Sequence, residues 1–261
     1  MHPLARLARR FAVDWLDRAD GDVPAEIMVP GYRVHIGDVE LAGLDAYTPA
    51  TLGQLTRFPG LQLTVHALVH TGERLALHFT EHGASVRDDL RAAAWTGVAL
   101  FRWDGERLTE NWTQEDYAAR RRQLADGVPD VVGRPAVAPW TTPPAAPDPA
   151  AEDVVRRWLG SAEPGTDGVT WDDGRDAAAV RPTAVEVAEL WSAGSTVAFA
   201  ATQIGAHLRP GEAGGGDGGG GDGPVRLWVA GLVQVTAGVV SGGVVVSDRL
   251  GLARSVAQRR S

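Results

Sequence analysis

The first 126 residues carry two periodicities of apolar positions, one typical of helices and one of strands. Apolar side chains recur three or four positions apart over Leu4–Asp17, which predicts a helix, and Asp45–Phe58 predicts a shorter one despite Pro49. Alternating apolar and polar positions then predict strands at Tyr32–Ile36, Leu61–Val69, Glu73–Thr80, Trp95–Trp103 and Arg107–Thr113. Helices followed by a run of antiparallel strands indicate an α+β module with helices packed on the concave face of a curved sheet.

A proline-rich segment divides the chain into two halves. Proline at the density of residues 129–149 opposes helices and central strands, so we expect an extended linker between a module at 1–128 and another at 150–261. The second half predicts a helix at Ala151–Leu159 and a shortened or missing middle helix. Its strands are predicted at Val169–Trp171, Ala184–Leu190, Thr196–Thr202, Val225–Val235 and Val239–Val246.

The two halves repeat several features in the same order. Gly83 and Gly205 each fall eleven residues after the glycine of a predicted hairpin turn, and the last strand of each half is closed by Asp116 or Asp248. Ordered agreement at several positions predicts a tandem duplication of one cone-shaped module. The second copy also contains a glycine-rich segment, residues 211–224, which cannot bury apolar area and is expected to be a mobile loop.

Composition excludes several classes of function. A net charge of −8 disfavours nucleic acid and anionic membrane surfaces as partners. The absence of cysteine excludes disulfides, thiolate zinc sites and cysteine nucleophiles. The longest apolar run is too interrupted by glycine and polar residues to span a bilayer, so we expect a soluble, cytoplasmic protein.

The order of short motifs in the first half resembles that of SnoaL-like polyketide cyclases, which belong to the nuclear-transport-factor-2-like and ketosteroid-isomerase-like superfamily. The matching segments are residues 32–35 (Tyr-Arg-Val-His), 43–47 (Gly-Leu-Asp-Ala-Tyr), 58–61 (Phe-Pro-Gly-Leu) and 110–116 (Glu-Asn-Trp-Thr-Gln-Glu-Asp). Gly60 replaces the family's aspartate, Asn111 replaces a histidine, and Ser85 stands where the family has another histidine. The second half matches mainly over 184–252, which suggests a degenerate copy.

The resemblance implies a pocket between the helices and the concave sheet face, with no cofactor and an acidic base at the end of the last strand. Asp116 is the candidate base, and period two along its strand places Glu110, Trp112, Gln114 and Asp116 on one face. A carboxylate in such an apolar pocket becomes a stronger base. The alternative for Asp116 is that it only caps the following helix.

Further residues are candidates for the same site. His82 and His35 are the other catalytic candidates; the alternative is a hydrogen-bonded structural role for His82 and an exposed strand end for His35. Candidate substrate-binding residues are Trp15, Tyr32, His78, Trp95, Trp112 and Gln114, and a second site would use Asp248, His207 and Gln203. No spacing joins three histidines, so we expect no metal.

Three functions remain open from the sequence. The leading hypothesis is a cofactor-independent acid–base cyclase or isomerase acting on a hydrophobic, polyketide-like carbonyl intermediate of natural-product biosynthesis. The first alternative is an epoxide hydrolase or cyclase of the polyether type, which would pair Asp116 with Glu81 or Glu110. The second is a non-catalytic module for small-molecule binding or assembly. Family resemblance also implies that the two modules pair through their open sheet faces, and a homodimer is a further possibility.

Overall fold

The computed structural model describes residues 1–162, 168–175, 179–208 and 223–259, and most of the predicted glycine-rich loop at 211–224 lies outside them. The architecture is α+β, with two modules that each contain one sheet. The helices are α1 Pro3–Arg9, α2 Val23–Ile27, α3 Leu44–Arg57, α4 Tyr117–Asp126, α5 Pro149–Trp158 and α6 Arg249–Gln258. No described helix is both long and apolar enough to cross a membrane.

The strands number eleven among the described residues. The first module contains β1 Met28–Ile36, β2 Val39–Ala42, β3 Gln62–His70, β4 Arg74–Ser85, β5 Arg91–Trp103 and β6 Leu108–Glu115. The second contains β7 Val169–Trp171, β8 Ala179–Ala193, β9 Thr196–Leu208, β10 Val225–Thr236 and β11 Val239–Ser247. The predicted strands are all present, most of them longer than predicted, and β2 was not predicted.

The N-terminal helix has two parts. Pro3 opens α1, where its missing N–H costs nothing, and the Nδ1 atom of His2 accepts a hydrogen bond from the Leu4 amide at 3.2 Å. The helix then continues as a π-helical segment, Arg10–Asp17, that buries Phe11 and Trp15.

Both sheets are mixed, whereas the sequence predicts antiparallel sheets. The strand order is β2-β1-β6-β5-β4-β3 in the first module and β7-β11-β10-β9-β8 in the second. β1 pairs in parallel with β6, and β7 pairs in parallel with β11. The difference arises because the chain leaves β2 through α3 and crosses to β3 at the far edge, so the first strand lies beside the last.

Strand register aligns the two modules residue by residue. The Asp116 amide donates to the carbonyl of Thr96, and the Asp248 amide donates to the carbonyl of Trp228, both at 2.9 Å. The residue before each aspartate therefore occupies the same position in its sheet, Glu115 opposite Gly97 and Ser247 opposite Val229. In the described part of the second module no helix lies between β7 and β8, where the first module has α3.

Each module has its own apolar core on the helix-covered face. Large, fully buried side chains of the first core include Trp15, Tyr32, Phe58, Trp95 and Phe101. The second core is built largely from valine, alanine and leucine around Phe199 and Trp171.

A third apolar cluster lies between the two sheets. Its largest members are Trp112 and Leu100 of the first module with Trp191, Trp228 and Leu232 of the second. The buried carboxylate of Glu189 accepts a hydrogen bond from Arg102 and forms an ion pair with Arg74 at 3.0 Å.

The segment between the modules is irregular apart from a 3₁₀ turn at Pro139–Thr141. Its backbone nevertheless bonds to both modules: the Ala136 amide donates to Val65 at 2.8 Å, and the Gly194 amide donates to the Ala146 carbonyl at 2.8 Å. Its course along the sheet hairpins is therefore fixed by hydrogen bonds.

Candidate active site

A cavity of about 190 Å³ lies in the first module between the helical layer and the sheet. Its apolar wall includes Phe11, Leu16, Val34, Leu63 and Phe79. Its polar side chains are Tyr47, Thr51, Gln54, Glu81, Asn111, Thr113, Glu115 and Tyr117. The volume is close to the roughly 150 Å³ of engineered cavities that bind benzene, so it accommodates about one ring.

Two glutamates face each other inside this cavity. Glu81 on β4 and Glu115 at the end of β6 are 3% and 7% exposed. Both pair with β5, Glu81 opposite Trp95 and Glu115 opposite Gly97. Because these two positions are two residues apart along β5, the glutamates lie on the same face of the sheet. Gly97 leaves space there, because a Cβ at this position would lie 2.4 Å from the Phe79 ring and 3.1 Å from Cγ of Glu115.

The two carboxyl groups interact electrostatically. Burial raises the pKa of Glu81 well above its usual range, and the charge of Glu115 and a hydrogen bond to it raise the pKa further. The nearby Arg120 guanidinium opposes this shift. Glu81 therefore keeps its proton to a higher pH than an ordinary glutamate does, as expected for a buried acid beside another acid.

Neighbouring donors hold the pair in place. The Gln54 amide donates to Oε2 of Glu81 at 2.6 Å, and the Trp95 indole donates to Oε2 of Glu115 at 2.7 Å. Burial raises the pKa of the Tyr117 hydroxyl, with Glu115 and Glu81 adding to the shift. Tyr117 therefore stays protonated beside the carboxylates and can donate a hydrogen bond.

A second group of aromatic residues surrounds Tyr47, which lines the cavity. The Trp15 indole donates to the Tyr47 hydroxyl at 3.0 Å, and the Tyr32 ring lies edge-on to Tyr47 at 5.3 Å. Burial raises the pKa of both tyrosines. Trp15, Tyr32 and Trp95 were expected to bind substrate; the structure places them in the layer behind the cavity wall, where they orient Tyr47 and Glu115.

Asp116 lies outside the cavity. It is fully buried, and its Oδ1 accepts a hydrogen bond from the Ala119 amide at 3.0 Å, which caps α4. Both of its carboxylate oxygens also accept hydrogen bonds from Arg249 of the second module. The structure thus gives Asp116 the capping role that the sequence left as an alternative, together with an ion pair that the sequence did not indicate.

The expected face of β6 is turned away from the cavity. Glu110, Trp112 and Gln114 do share a face, but it points towards the second module, while Asn111, Thr113 and Glu115 point inwards. The sequence placed the wrong face of β6 in the cavity. Alternation along a strand shows which residues share a face, but it does not show which face the helices cover.

The candidate histidines lie on that same outer face. His35 stacks on Trp112 at 5.2 Å, and its Nε2 lies 2.9 Å from Oε1 of Glu110. His82 bonds to Thr64 at 3.0 Å and His78 to Thr96 at 3.1 Å. Burial lowers the pKa of His78 to about 4, with His66 contributing, and lowers that of His82 in the same way. None of the three lines the cavity with Glu81 and Glu115.

The described residues of the second module contain no carboxylate pair at the positions that correspond to Glu81 and Glu115. Register places Gln203 at the position of Glu81 and Ser247 at that of Glu115. The Gln203 amide donates to the carbonyls of Leu159 and Ala162 at 3.2 and 3.0 Å, which ties down a helix end. The candidates of the second site are not brought together as an acid–base site: Asp248 caps α6 through the Gly251 amide at 2.8 Å, and His207 lies partly exposed opposite Val180.

Sequence reasoning missed Glu115, Tyr117 and Gln54. Glu115 is adjacent to the predicted Asp116, and shifting the strand phase by one residue would have identified it. Gln54 carried no motif, and only the packing of α3 over the sheet brings it to Glu81. Among the described residues no group of three histidine, aspartate or glutamate side chains could hold a metal ion.

The fold and site together define an α+β pocket module with an internal pair of carboxyl groups. Residues 6–124 match the family model of SnoaL-like polyketide cyclase. The predicted resemblance to that family is therefore confirmed for this part of the chain. No curated protein matches the chain.

Several solved structures are similar to one half of the chain. AclR from Streptomyces galilaeus is 19% identical with a TM-score of 0.43, covering 48% of this chain and 98% of its own. TsrD from Streptomyces laurentii is 20% identical with a TM-score of 0.43, covering 47% and 94%. IdmH from Streptomyces antibioticus is 20% identical with a TM-score of 0.41, covering 48% and 99%.

Proposed function

We propose that the first module is a cofactor-independent acid–base cyclase or isomerase in which Glu115 is the base and Glu81 the acid. The observation that carries the proposal is the contact between these two buried carboxyl groups inside an apolar cavity. Environments that keep one carboxyl neutral and leave its neighbour charged are typical of paired acid and base roles.

The reaction needs a proton α to a carbonyl group. The Glu115 carboxylate takes this proton, while Glu81 gives its own proton to the carbonyl oxygen, so that the substrate becomes an enol. Tyr117 donates a hydrogen bond as negative charge develops on the oxygen. The enol carbon then attacks a second carbonyl in a ring closure, or takes a proton at another position in an isomerisation. Either route restores the protonation states of both glutamates.

The size of the cavity limits what reacts inside it. About 190 Å³ accommodates one ring and its carbonyl substituents, with the remainder of a larger substrate outside. A hydrophobic carbonyl compound fits the apolar walls. A role of the substrate in natural-product biosynthesis and a cytoplasmic location of the protein stay predictions.

Exchange of the α-proton tests the proposal without knowledge of the natural substrate. Small cyclic 1,3-dicarbonyl compounds are incubated in heavy water, and deuterium incorporation is followed by NMR. Glu115→Gln should lower the enzyme-catalysed rate by at least about 100-fold, the usual contribution of a general base. Glu110→Gln is the matched control, since it makes the same change on the same strand but on the outer face.

Equal exchange rates for wild type and Glu115→Gln would show that Glu115 is not the base. If wild type catalyses no exchange but binds the compounds, the non-catalytic binding module becomes the better hypothesis.

The carboxyl pair also favours a second candidate, an epoxide hydrolase or cyclase. Glu81 would protonate the epoxide oxygen as its C–O bond breaks, and Glu115 would take the proton from the attacking water or hydroxyl group. The sequence expected Asp116 in this pair, but its ion pair with Arg249 leaves Glu115 as the partner for Glu81. Turnover of aryl epoxides, with no exchange of 1,3-dicarbonyl compounds, would favour this reaction.

We further propose that the second module is a degenerate copy that serves as a covalently attached partner of the first. The apolar cluster between the sheets and the Glu189 contacts to Arg74 and Arg102 support this pairing. A mass of 27.6 kDa in sedimentation would support a self-contained pair, whereas twice that mass would indicate the predicted homodimer.

A further inference from the structure

A second cavity, of about 530 Å³, lies next to the candidate active site and is rich in arginine. Arg57, Arg91, Arg120 and Arg121 line it, and Asp88 is its single acidic lining residue. The lining therefore carries a net charge of about +3, in a chain whose net charge is −8. Positive charge concentrated in a concave site attracts anions from solution.

The two cavities meet at one side chain. Tyr117 lines both of them, with Glu115 on one side and the arginines on the other. Arg120 stands at the same boundary: its guanidinium lies over the rings of Tyr117, at 4.3 Å, and Trp95, at 5.0 Å, and it hydrogen-bonds Gln54 at 3.3 Å. Aromatic faces hold the guanidinium in place without using its N–H donors.

Several of the arginine donors remain available. Arg57 bonds to Asp88 at 2.8 Å, and Arg91 bonds to the carbonyls of Leu124 and Ala125, both at 2.8 Å. These bonds use one or two of the five N–H groups of each guanidinium. Arg121 is exposed and has no hydrogen-bond or ion-pair partner among the described residues.

We propose that this arginine-lined cavity binds an anionic group, a carboxylate or a phosphate, carried by the molecule whose carbonyl end enters the neighbouring cavity. Guanidinium groups bind both anions through paired N–H donors. The substrate class is then an acidic carbonyl compound, with its anion outside Tyr117 and its reacting carbons beside Glu115. The role in substrate recognition depends on the proposed function, whereas anion binding itself does not.

Calorimetric titration at constant ionic strength tests the site with two probes, inorganic phosphate and acetate. Arg121→Gln should weaken the binding of the preferred probe about fivefold to tenfold, as expected for the loss of one charge-assisted hydrogen bond. Arg33→Gln is the matched control, because Arg33 is an exposed arginine on β1 that does not line the cavity. It should leave the affinity unchanged.

Tighter binding of phosphate would assign the anion to a phosphate ester, and tighter binding of acetate to a carboxylic acid. Absence of binding by both probes, or equal weakening by the two variants, would overturn the proposal. Because no turnover is involved, this result is independent of the deuterium-exchange test on Glu115.

Discussion

The raised pKa of Glu81 should make the stability of the protein depend on pH. Burial and the neighbouring carboxylate raise the pKa of Glu81 well above its ordinary 4.5. A raised pKa stabilises the folded state below pH 4.5, and this contribution is lost as pH rises towards the folded pKa. In that interval the free energy of unfolding falls by up to about 1.4 kcal/mol per pH unit for one proton.

Glu81→Gln should remove this part of the pH dependence. Glutamine keeps the shape, accepts a hydrogen bond from Gln54 and can still donate to Glu115, but it does not titrate. Urea unfolding at pH 5, 6 and 7 gives the free energy of each variant, provided that the transition is two-state. The slope between pH 5 and 6 should be shallower for Glu81→Gln by about 1.4 kcal/mol per unit at most.

Glu110→Gln again serves as the control, since it replaces an outer-face glutamate of the same module. Identical slopes for wild type and Glu81→Gln would refute the raised pKa of Glu81, and with it the proposal that Glu81 is the acid. A shallower slope in the control variant as well would show that the dependence arises elsewhere.

Three further outcomes follow from the packing. Burial raises the pKa of Asp172 to about 7, so this carboxyl destabilises the fold as pH rises towards 7, and Asp172→Asn should reduce the loss of stability between pH 5.5 and 8 in urea unfolding. Gly97→Ala should cost about 1–3 kcal/mol in thermal unfolding because its Cβ would overlap the Phe79 ring, whereas Gly53→Ala, in open space inside helix α3, should stabilise the protein by about 0.5–1 kcal/mol. Arg249→Met should lower the free energy of unfolding in urea by about 3–5 kcal/mol, because it leaves two buried aspartates without their cation. A loss under about 1 kcal/mol would contradict that account.

The inter-module ion pairs explain why Asp116 appears at the end of the strand without taking part in the cavity. Arg249 follows Asp248, the N-cap of α6, directly in the sequence. The residue after the cap of α6 therefore neutralises Asp116, which caps α4 in the first module. Loss of either group would affect both helix ends and the contact between the modules. Reduced activity of an Asp116 variant would therefore not identify Asp116 as the base.

Much of the fold could be predicted from the sequence. Apolar spacing identified the first helix and the five longer strands of the first module, and glycine and aspartate positions indicated two related modules. These features are local, because the periodicity of a helix or strand and the chemistry of a turn act over a few neighbouring residues. The parallel pairing of β1 with β6 is a long-range contact and carried no local pattern.

Which face of β6 lines the cavity was decided by tertiary structure. All of residues 111–116 are buried, because helices cover one side of the sheet and the second module covers the other. Polar and apolar side chains therefore occur on both faces, and alternation along the strand cannot tell which one lines the cavity. The sequence by itself determined that Glu115 and Asp116 stand on opposite sides; only the layers packed against the sheet gave Glu115 to the cavity and Asp116 to Arg249.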